Sequence, residues 1–427
     1  MSRIQEVVEI VPVSSPVDAV VRLPGSKSYT NRALLIAALA SGRSTIDGAL
    51  FSDDTRYMIA ALRDLGIPVE VTPETDRVVV DGKGGEIPAS SADLFVGNAG
   101  TAARFLTAAL ALGNGTYRLD GVKRMRERPI GPLLDALNIL GVEARSEFDN
   151  GCPPVVIVGR ALARNQTTID GNVSSQFISA LMLIGPCLRD GLVIDIRGDL
   201  VSKPYVDLTA SIMAAFGASA SNDDYRRLSV SGGGYRARDY TVEPDASSAS
   251  YFFAAAAVTG GRVRVEGLGR HSAQGDLGLV DVLEAMGCAV ERQDEYVEVR
   301  GPARLRGIDV DMGNMSDVAQ TLAAIAPFAD GSVRIRGIEH NRWKETDRVS
   351  AVATELARLG VPVVEHRDGW EIHPSFPKPG VVETYDDHRM AMSFAVTGLR
   401  APGIRIANPS CVEKTFPDFF ERFERLR

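Results

Sequence analysis

Apolar residues recur along the chain in two alternating helical patterns. In the first pattern they lie one, four and eight positions before a glycine, as Met58, Leu62 and Leu65 lie before Gly66. This spacing predicts an amphipathic helix with one buried face, and glycine suits the left-handed position that ends many helices. Equivalent glycines follow at intervals of 70 to 76 residues, namely Gly141, Gly217, Gly287 and Gly360. A sixth copy at 415–427 keeps the apolar spacing but has no closing glycine.

The second pattern is a segment that is apolar on almost every side, rich in alanine and preceded by a polar or glycine-rich opening. A helix without a polar face is expected to be buried. Six segments fit this pattern: 25–42, 97–115, 174–191, 245–261, 316–331 and 386–399. Short β-branched runs between the helices, such as 76–82 and 154–160, predict strands. The chain therefore repeats a unit of two helices and several strands six times.

The ends of the chain complete each other in this scheme. The last repeat lacks its closing strands, whereas residues 3–21 read as strands that precede the first helix. We therefore expect two domains of three repeats each: 1–22 together with 244–427, and the inserted residues 23–243. The fold class is α/β (α+β), with βαβαββ-type repeats. A cleft between two such domains is a favoured place for a ligand.

Composition narrows the classes of function. The 427 residues are 45% hydrophobic and carry a formal net charge of -8, which argues against a nucleic-acid or membrane partner. No apolar run is long enough to span a membrane, and the first residues do not resemble a signal peptide. The four cysteines are far apart and suggest neither a zinc site nor a disulfide framework. We expect a cytoplasmic protein without a metal or an organic cofactor.

Cations recur at the predicted helix starts, although the positive end of the helix dipole disfavours each by roughly 0.3–1 kcal/mol. Lys27 and Arg32 occupy the first opening, and Arg128 and Lys203 each precede a proline that suits a first helical turn. Cations also lie at later predicted helix starts, namely Lys344, Arg348, Arg389 and Lys414. Lysine and arginine bind phosphate and carboxylate, so the pattern predicts a substrate with several negative charges. Gly25 and Lys27 do not form a nucleotide-binding loop, and Asp386 with Asp387 is interpreted as a helix-capping pair.

Nine strings, in order, resemble the 5-enolpyruvylshikimate-3-phosphate synthase family of enolpyruvyl transferases. They run from LPGSKSYTNRALLIAALA through GNAGTAARFL, RMRERPIG, SSQF, SKPY, EPDASSASYF, KETDR and DDHRMAM to KTFPDFF. The resemblance implies a two-domain inside-out α/β barrel of six repeats. It also implies transfer of the enolpyruvyl group of phosphoenolpyruvate to the 5-hydroxyl of shikimate 3-phosphate, in the shikimate pathway to chorismate. The family is the target of glyphosate, uses no cofactor, and implies a monomer here.

The resemblance also assigns binding residues. Those for shikimate 3-phosphate are Lys27, Ser28, Arg32, Ser174, Ser175, Gln176, Ser202, Tyr205, Asp317, His340, Asn341 and Lys344. Those for phosphoenolpyruvate are Lys27, Asn98, Gly100, Thr101, Arg128, Gln176, Glu345, Arg348, His388, Arg389 and Lys414. Whether His340 or Asn341 reaches shikimate 3-phosphate stays open.

The implied chemistry needs a base for the 5-hydroxyl proton and an acid for the enolpyruvyl methylene carbon. Asp317 is the candidate base and Glu345 the candidate acid, with Lys27 and His388 assisting proton transfer. One alternative is the related transferase that acts on UDP-N-acetylglucosamine, which carries a reactive cysteine in a mobile loop. Cys152 is the nearest counterpart and is interpreted as inert. A second alternative is a non-catalytic repeat scaffold that binds an anionic partner.

Overall fold

The computed structural model describes residues 7–427 of the chain. Its helices are α1 (Lys27–Leu39), α2 (Asp53–Asp64), α3 (Gly100–Ala109), α4 (Gly131–Leu140), α5 (Ser175–Ile184), α6 (Pro204–Ala215), α7 (Ala246–Thr259), α8 (Leu279–Ala285), α9 (Ala319–Ile325), α10 (Arg348–Arg358), α11 (His388–Gly398) and α12 (Phe419–Glu424). Short 3-10 helices cover Pro73–Thr75, Leu110–Leu112, Met125–Glu127, Gly185–Cys187, Gly275–Gly278, Ala326–Phe328, Glu339–Trp343 and Pro409–Lys414. None of the helices in residues 7–427 is both long and apolar enough to cross a membrane.

The strands alternate with these helices. They are β1 (Val7–Glu9), β2 (Asp18–Arg22), β3 (Ala40–Asp47), β4 (Val69–Thr72), β5 (Arg77–Lys83), β6 (Ser91–Phe95), β7 (Gly115–Asp120), β8 (Glu143–Ser146), β9 (Val155–Gly159), β10 (Gln166–Asp170), β11 (Leu192–Arg197), β12 (Ala220–Asp223), β13 (Arg227–Val230), β14 (Tyr235–Arg236), β15 (Asp239–Thr241), β16 (Arg262–Glu266), β17 (Ala289–Arg292), β18 (Tyr296–Arg300), β19 (Ile308–Asp311), β20 (Val333–Arg336), β21 (Val363–His366), β22 (Gly369–Ile372), β23 (Gly380–Val382) and β24 (Ile404–Ala407).

The described residues form two compact units. One, here called the middle unit, is Gly25–Glu243, and the other, the terminal unit, joins the residues up to Pro24 with Pro244–Arg427. Each unit has its own continuous core of buried apolar side chains.

The middle unit contains three sheets that follow one plan. In the sheet β6-β7-β9-β8, strands β6 and β7 are parallel and the buried helix α3 connects them, while β7, β9 and β8 pair antiparallel. The sheet β10-β11-β13-β12 repeats this order around α5. In the third sheet, β14-β3-β5-β4, β14 and β15 from the end of the unit both pair in parallel with β3. Parallel neighbours need such a crossover, which explains why a helix follows each first strand.

The terminal unit uses the same plan with strands from both ends of the chain. Strand β2 pairs in parallel with β16 in the sheet β17-β18-β16-β2, and β1 pairs antiparallel with β24. The remaining sheet has the order β19-β20-β22-β21. The predicted mixed fold of repeated βα units is confirmed. The barrel in that prediction needs one correction, since the described strands form six separate sheets and none closes into a barrel.

Helix burial follows the apolar patterns. Helices α3 and α9 are buried along their whole length, as are α7 up to Val258, α11 entirely and α1 from Tyr29 onward. Helices α1, α3 and α5 contact one another in the middle unit, and α7, α9 and α11 do so in the terminal unit. The prediction that helices apolar on every side form the interior is confirmed. Within each unit, polar residues at the helix N-termini contact one another, as Gln176 contacts Thr101 and Arg389 contacts Ser247.

The glycines that end the amphipathic helices are confirmed as left-handed residues. Gly66, Gly141, Gly217, Gly287 and Gly360 all have positive φ, between +75° and +106°. One predicted helix start was wrong. Helix α6 begins at Pro204 as expected, but α4 begins at Gly131 with Pro132 in its first turn, and Pro129 precedes it. Pro129 lies outside the helix, where its carbonyl accepts a hydrogen bond from Arg104 Nη2 at 2.8 Å.

Candidate active site

The N-termini of α1, α3 and α5 bring together the predicted site residues of the middle unit. Lys27 is the first residue of α1, and its Nζ lies 3.4 Å from Asp54 Oδ2 in the first turn of α2. The Lys27 side chain is half-buried and Asp54 is buried. Ser28 follows Lys27, and its carbonyl accepts a hydrogen bond from Arg32 Nη1 at 3.0 Å. The start of α1 therefore combines a positive dipole end with two cations.

Arg32 is buried and held mainly by neutral groups. Its Nε donates to Thr209 Oγ1 at 2.7 Å and its Nη2 to Ser179 Oγ at 3.2 Å. The guanidinium lies 5.0 Å from the ring centre of Phe105 and 5.9 Å from that of Tyr205. Burial lowers the pKa of Arg32 to about 10, because a charge is costly where water is excluded. The guanidinium thus stays positive near neutral pH.

Arg128 packs directly on the start of α3. Its Nη1 donates to both the carbonyl and the side-chain Oδ1 of Asn98, each at 3.0 Å. A Cβ added to Gly100 would lie 2.4 Å from Arg128 Nη2, so a larger residue would displace the guanidinium. The group next to the α-carbon of Gly100 is therefore this arginine. Behind it, Arg104 contacts the carbonyls of Gly100 and Pro129 and fixes the loop before α4.

The start of α5 adds neutral hydrogen-bonding groups. Ser174 caps the helix, because its Oγ accepts from the backbone N–H of Gln176 at 3.2 Å. Gln176 Nε2 lies 3.5 Å from Thr101 Oγ1 in α3, so the starts of these two helices meet. The remaining predicted residues of the middle unit are Ser175, which is buried in α5, and Ser202 and Tyr205, which flank the start of α6. The predicted residues of this unit lie at the starts of α1, α3, α5 and α6.

Asp317 is the centre of the predicted residues in the terminal unit. It stands two residues before α9 and accepts hydrogen bonds from three cations. Lys344 Nζ donates to its Oδ1, Arg348 Nη1 lies 3.2 Å from the same oxygen, and Arg389 Nη2 donates to Oδ2 at 2.7 Å. Three cations on one carboxylate strongly favour its ionised form.

Arg348 connects Asp317 to the second candidate carboxylate. Its Nη2 donates to Glu345 Oε2 at 2.8 Å, while its Nε donates to Asp387 Oδ2 at 2.7 Å. The side chain is only 1% exposed. Burial opposes its charge, but Asp387, Glu345 and Asp317 together outweigh burial and raise its pKa above the usual value. Lys414 Nζ lies 4.0 Å from Glu345 Oε1. We call Asp317, Glu345, Arg348, Asp387 and Arg389 the carboxylate cluster.

His340 and Asn341 both contact Ser316, the residue before Asp317. His340 Nε2 lies 2.9 Å from Ser316 Oγ, and Asn341 Nδ2 donates to the Ser316 carbonyl at 2.7 Å. Lys344 Nζ donates to the same Oγ at 3.1 Å. Burial, with the charge of Lys344, lowers the pKa of His340 to about 3, so its ring is neutral. Burial also lowers the pKa of Lys344, against the attraction of Asp317.

His388 and Asp387 begin α11. Asp387 caps this helix by accepting from the backbone N–H of Arg389 at 2.8 Å, as predicted, and it also holds Arg348. Asp386 is not a cap, because it lies outside the helix at a φ of 56° and accepts from Asn408 Nδ2. His388 is buried, with Nδ1 3.7 Å from Asp387 Oδ1. It thus lies next to the carboxylate cluster.

Sequence reasoning missed several polar residues that support the site. They are Asp54, Arg104, Ser316 and Asp276, all of them buried. Asp54 and Asp276 carried a weak signal, because a lone buried polar residue looks like an exposed one in a sequence. Arg104 and Ser316 lie inside the predicted helical segments 97–115 and 316–331, but no role was assigned to them there. The cysteine alternative gains no support, since burial raises the pKa of the half-buried Cys152 thiol. Within residues 7–427 no group of three or more His, Cys, Asp or Glu side chains could hold a metal ion.

The fold described above is also that of a solved enolpyruvyl transferase. An enolpyruvyl transferase of Streptomyces tendae has the same fold, with a TM-score of 0.79, 20% identity, and coverage of 99% of this chain and 98% of that one. The family model "EPSP synthase (3-phosphoshikimate 1-carboxyvinyltransferase)" matches residues 11–423. This chain belongs to that family, and the predicted membership and transferase class are confirmed.

Individual relatives agree with the family match. The 3-phosphoshikimate 1-carboxyvinyltransferase of Trichormus variabilis is 53% identical over 422 residues, which are 99% of each chain. The corresponding protein of Shewanella amazonensis is 46% identical over 419 residues, or 97% of each chain. The EPSP synthase structure of Acinetobacter baumannii has a TM-score of 0.83 and 27% identity, and covers 99% of this chain and 98% of that one. The similarity therefore extends over both compact units.

Proposed function

We propose that this chain transfers the enolpyruvyl group of phosphoenolpyruvate to the 5-hydroxyl of shikimate 3-phosphate and releases phosphate. The observation that supports it best is the pair of carboxylates on one buried guanidinium. Arg348 lies 2.8 Å from Glu345 and 3.2 Å from Asp317, so two groups suited to opposite proton-transfer roles are held side by side. A scaffold that only binds anions has no need for this pair.

The cations and helix N-termini suit the two substrates, each of which carries a phosphate and a carboxylate. In the proposal, shikimate 3-phosphate is held by the residues around Arg32, Ser174, Tyr205 and Lys344, together with His340 or Asn341. Phosphoenolpyruvate is held by Lys27, Arg128, Arg348, Arg389 and Lys414. Four further residues lie at the start of α3 or contact it, namely Asn98, Gly100, Thr101 and Gln176. The two compact units act as the two predicted domains.

Addition begins when Asp317 takes the proton of the 5-hydroxyl and the freed oxygen attacks C2 of phosphoenolpyruvate. Glu345 gives a proton to C3, which becomes a methyl group, and a tetrahedral intermediate results. The three cations on Asp317 keep it ionised before the substrates bind. Substrate phosphate and carboxylate then share these cations, which strengthens Asp317 as a base.

Elimination reverses the proton roles. Glu345 takes a proton from the methyl group, the bond between C2 and the phosphate oxygen breaks, and the proton held by Asp317 passes to the leaving phosphate. Glu345 must therefore begin as the acid. Its burial favours the neutral form, and competition by the substrate phosphate for Arg348 and Lys414 removes the charges that oppose it. Lys27 and His388 assist these transfers in the proposal.

A phosphate-release assay with each substrate omitted in turn tests this function. Release should require both phosphoenolpyruvate and shikimate 3-phosphate, and UDP-N-acetylglucosamine should not replace the latter. Release with UDP-N-acetylglucosamine, or with phosphoenolpyruvate alone, would contradict the proposal. Alkylation of the thiols should leave turnover intact, because burial raises the pKa of Cys187, Cys288 and Cys411 to about 12 and that of Cys152 as well.

We further propose that the chain acts as a monomer in the cytoplasm on these two small acids, without nucleic acid or a membrane. The four cysteines support a reducing compartment, since all of them are free thiols. Sedimentation equilibrium over a hundredfold range of concentration should give the mass of one chain. A concentration-dependent mass would contradict the monomer.

A further inference from the structure

A buried carboxyl that the mechanism does not use lies behind the carboxylate cluster. Asp276, in the turn Gly275–Gly278, is 4% exposed. Its Oδ2 accepts a hydrogen bond from Ser247 Oγ in the first turn of α7. Arg389 Nη2 lies 3.3 Å from the same Ser247 Oγ and 2.7 Å from Asp317 Oδ2. Ser247 therefore connects Asp276 to the guanidinium that contacts the candidate base.

The turn that carries Asp276 is fixed to the start of α7. Gln274 Nε2 donates to the carbonyl of Pro244 at 2.8 Å, and its Oε1 accepts from the backbone N–H of Ala246 at 3.0 Å. Gln274 is itself buried. These two hydrogen bonds of Gln274 leave Asp276 little freedom to move away from Ser247. A positioning residue requires such support.

Charged groups from three other elements surround Asp276. Asp317 precedes α9, Arg389 belongs to α11, and Asp245 is the N-cap of α7, where it accepts from the backbone N–H of Ser248. Burial, reinforced by Asp317 and Asp245, raises the pKa of Asp276 to about 6, although Arg389 and the Ser247 hydrogen bond oppose this. The carboxyl therefore changes its charge just below neutral pH.

We propose that Asp276 is a positioning residue for the enolpyruvyl transfer proposed above, acting through Ser247 to hold Arg389 against Asp317. The proposal rests on that function. An ionised carboxylate only accepts hydrogen bonds, so Ser247 must donate to it and turn its own lone pairs toward the guanidinium. A protonated Asp276 can itself donate to Ser247, which removes this constraint. Arg389 is thus held most firmly when Asp276 is ionised.

The test compares the wild type with Asp276→Asn, Ser247→Ala and the double variant by steady-state kinetics between pH 5 and 8.5. The wild-type KM for phosphoenolpyruvate should rise about tenfold as the pH falls through about 6. Each single variant should show a KM about tenfold higher at pH 8, no further rise near pH 6, and a kcat within about threefold of the wild type. The double variant should cost no more than either single one, because both break the same link.

The matched control is Asp281→Asn, which changes an exposed carboxylate on the neighbouring helix α8 and should leave KM unchanged. Superimposable pH profiles of Asp276→Asn and the wild type would overturn the proposal, as would single-variant effects that multiply in the double variant. If Asp276→Asn does not fold, a wild-type pH profile in Ser247→Ala overturns it equally. An inactive wild type contradicts the proposed function and this proposal together, whereas an active one with unchanged profiles contradicts only the role of Asp276.

Discussion

Two buried arginines, one in each compact unit, show opposite electrostatics. Arg32 donates to hydroxyl and carbonyl oxygens and has two aromatic rings beside it, and burial lowers its pKa to about 10. Arg348 donates to three carboxylates, which outweigh burial and raise its pKa. The neighbours of Arg32 therefore compensate its charge only in part, whereas carboxylates balance the charge of Arg348.

The difference indicates that Arg32 and Arg348 have different roles. A guanidinium with neutral partners keeps most of its positive potential, and an arriving anion can relieve the cost of burying it. A guanidinium shared by carboxylates contributes little net potential but fixes those carboxylates in place for proton transfer. We therefore expect changes at Arg32 to act on substrate affinity, and changes in the carboxylate cluster to act on turnover and on stability.

The largest expected effect is on turnover, from Asp317→Asn. The amide keeps the size of the side chain but cannot accept the 5-hydroxyl proton, so kcat should fall by about a thousandfold. The KM for shikimate 3-phosphate should change much less. Steady-state phosphate release measures both values. Asp309→Asn is the matched control, because Asp309 is an exposed carboxylate of the same unit that pairs with Arg336. A kcat within tenfold of the wild type would remove Asp317 as the base.

The second prediction compares stability after removal of each arginine. Arg348→Met leaves Asp387, Glu345 and Asp317 without their shared cation and should lower the free energy of unfolding by about 3 kcal/mol at pH 8. Arg32→Met should cost less than about 1.5 kcal/mol, because its partners are neutral and Thr209 and Ser179 still bond to each other.

Denaturant unfolding at pH 8 measures these free energies. The exposed Arg336→Met serves as the control and should leave the free energy of unfolding close to that of the wild type. Equal losses for Arg348→Met and Arg32→Met would contradict the proposed difference between the two units.

The fold was predictable where burial alone decides it. A segment such as 246–258 has no polar face, so it had to form an interior helix, and Gly66 suited the left-handed end of α2 because it lacks a Cβ. The start of α4 was not predictable, because Pro129 fits a first turn equally well. Its position outside the helix depends on distant residues, because its carbonyl accepts from Arg104, 25 positions away, and the backbone N–H groups of Ile130 and Gly131 both donate to the carbonyl of Gly151.

The site was predictable only in part, for a related reason. Residues in a helical opening, such as Lys27 or Arg389, carry a local signal because a cation there opposes the dipole. Asp54 and Asp276 have no such signal, since their burial and partners depend on how distant segments pack. The second function of Asp387 was hidden in the same way, because its capping position explained it before Arg348 was known to lie 2.7 Å away.

The third prediction concerns affinity in the middle unit. Arg32→Lys keeps the charge but loses the planar set of donors, so the KM for shikimate 3-phosphate should rise about tenfold while kcat stays within about threefold. Initial rates at varied shikimate 3-phosphate measure this. Arg56→Lys, on the exposed side of α2, is the control and should behave as the wild type. A variant with a lower kcat and an unchanged KM would place Arg32 with the proton-transfer groups and contradict the proposed difference between the two arginines.

The smallest expected effect is a pH dependence of stability from His340, the neutral member of the terminal unit's site. Burial and the charge of Lys344 lower its pKa to about 3, whereas a histidine in the unfolded chain titrates near 6.5. Between these values the unfolded chain binds a proton that the folded chain does not. Stability should therefore fall as the pH drops below about 6.5.

His340→Gln isolates this contribution, because the glutamine amide has a donor for Ser316 Oγ and does not titrate. The wild type should lose about 1–2 kcal/mol more than the variant when the pH falls from 7.5 to 5. Asp276 acts in the opposite direction over part of this range, since its raised pKa favours the folded state at low pH, but it does so equally in both proteins. The matched control is His271→Gln at an exposed position, which should follow the wild type. Parallel curves for the wild type and His340→Gln would mean that the ring takes up its proton as easily in the fold as outside it, and the terminal unit would then hold a fourth cation beside Asp317.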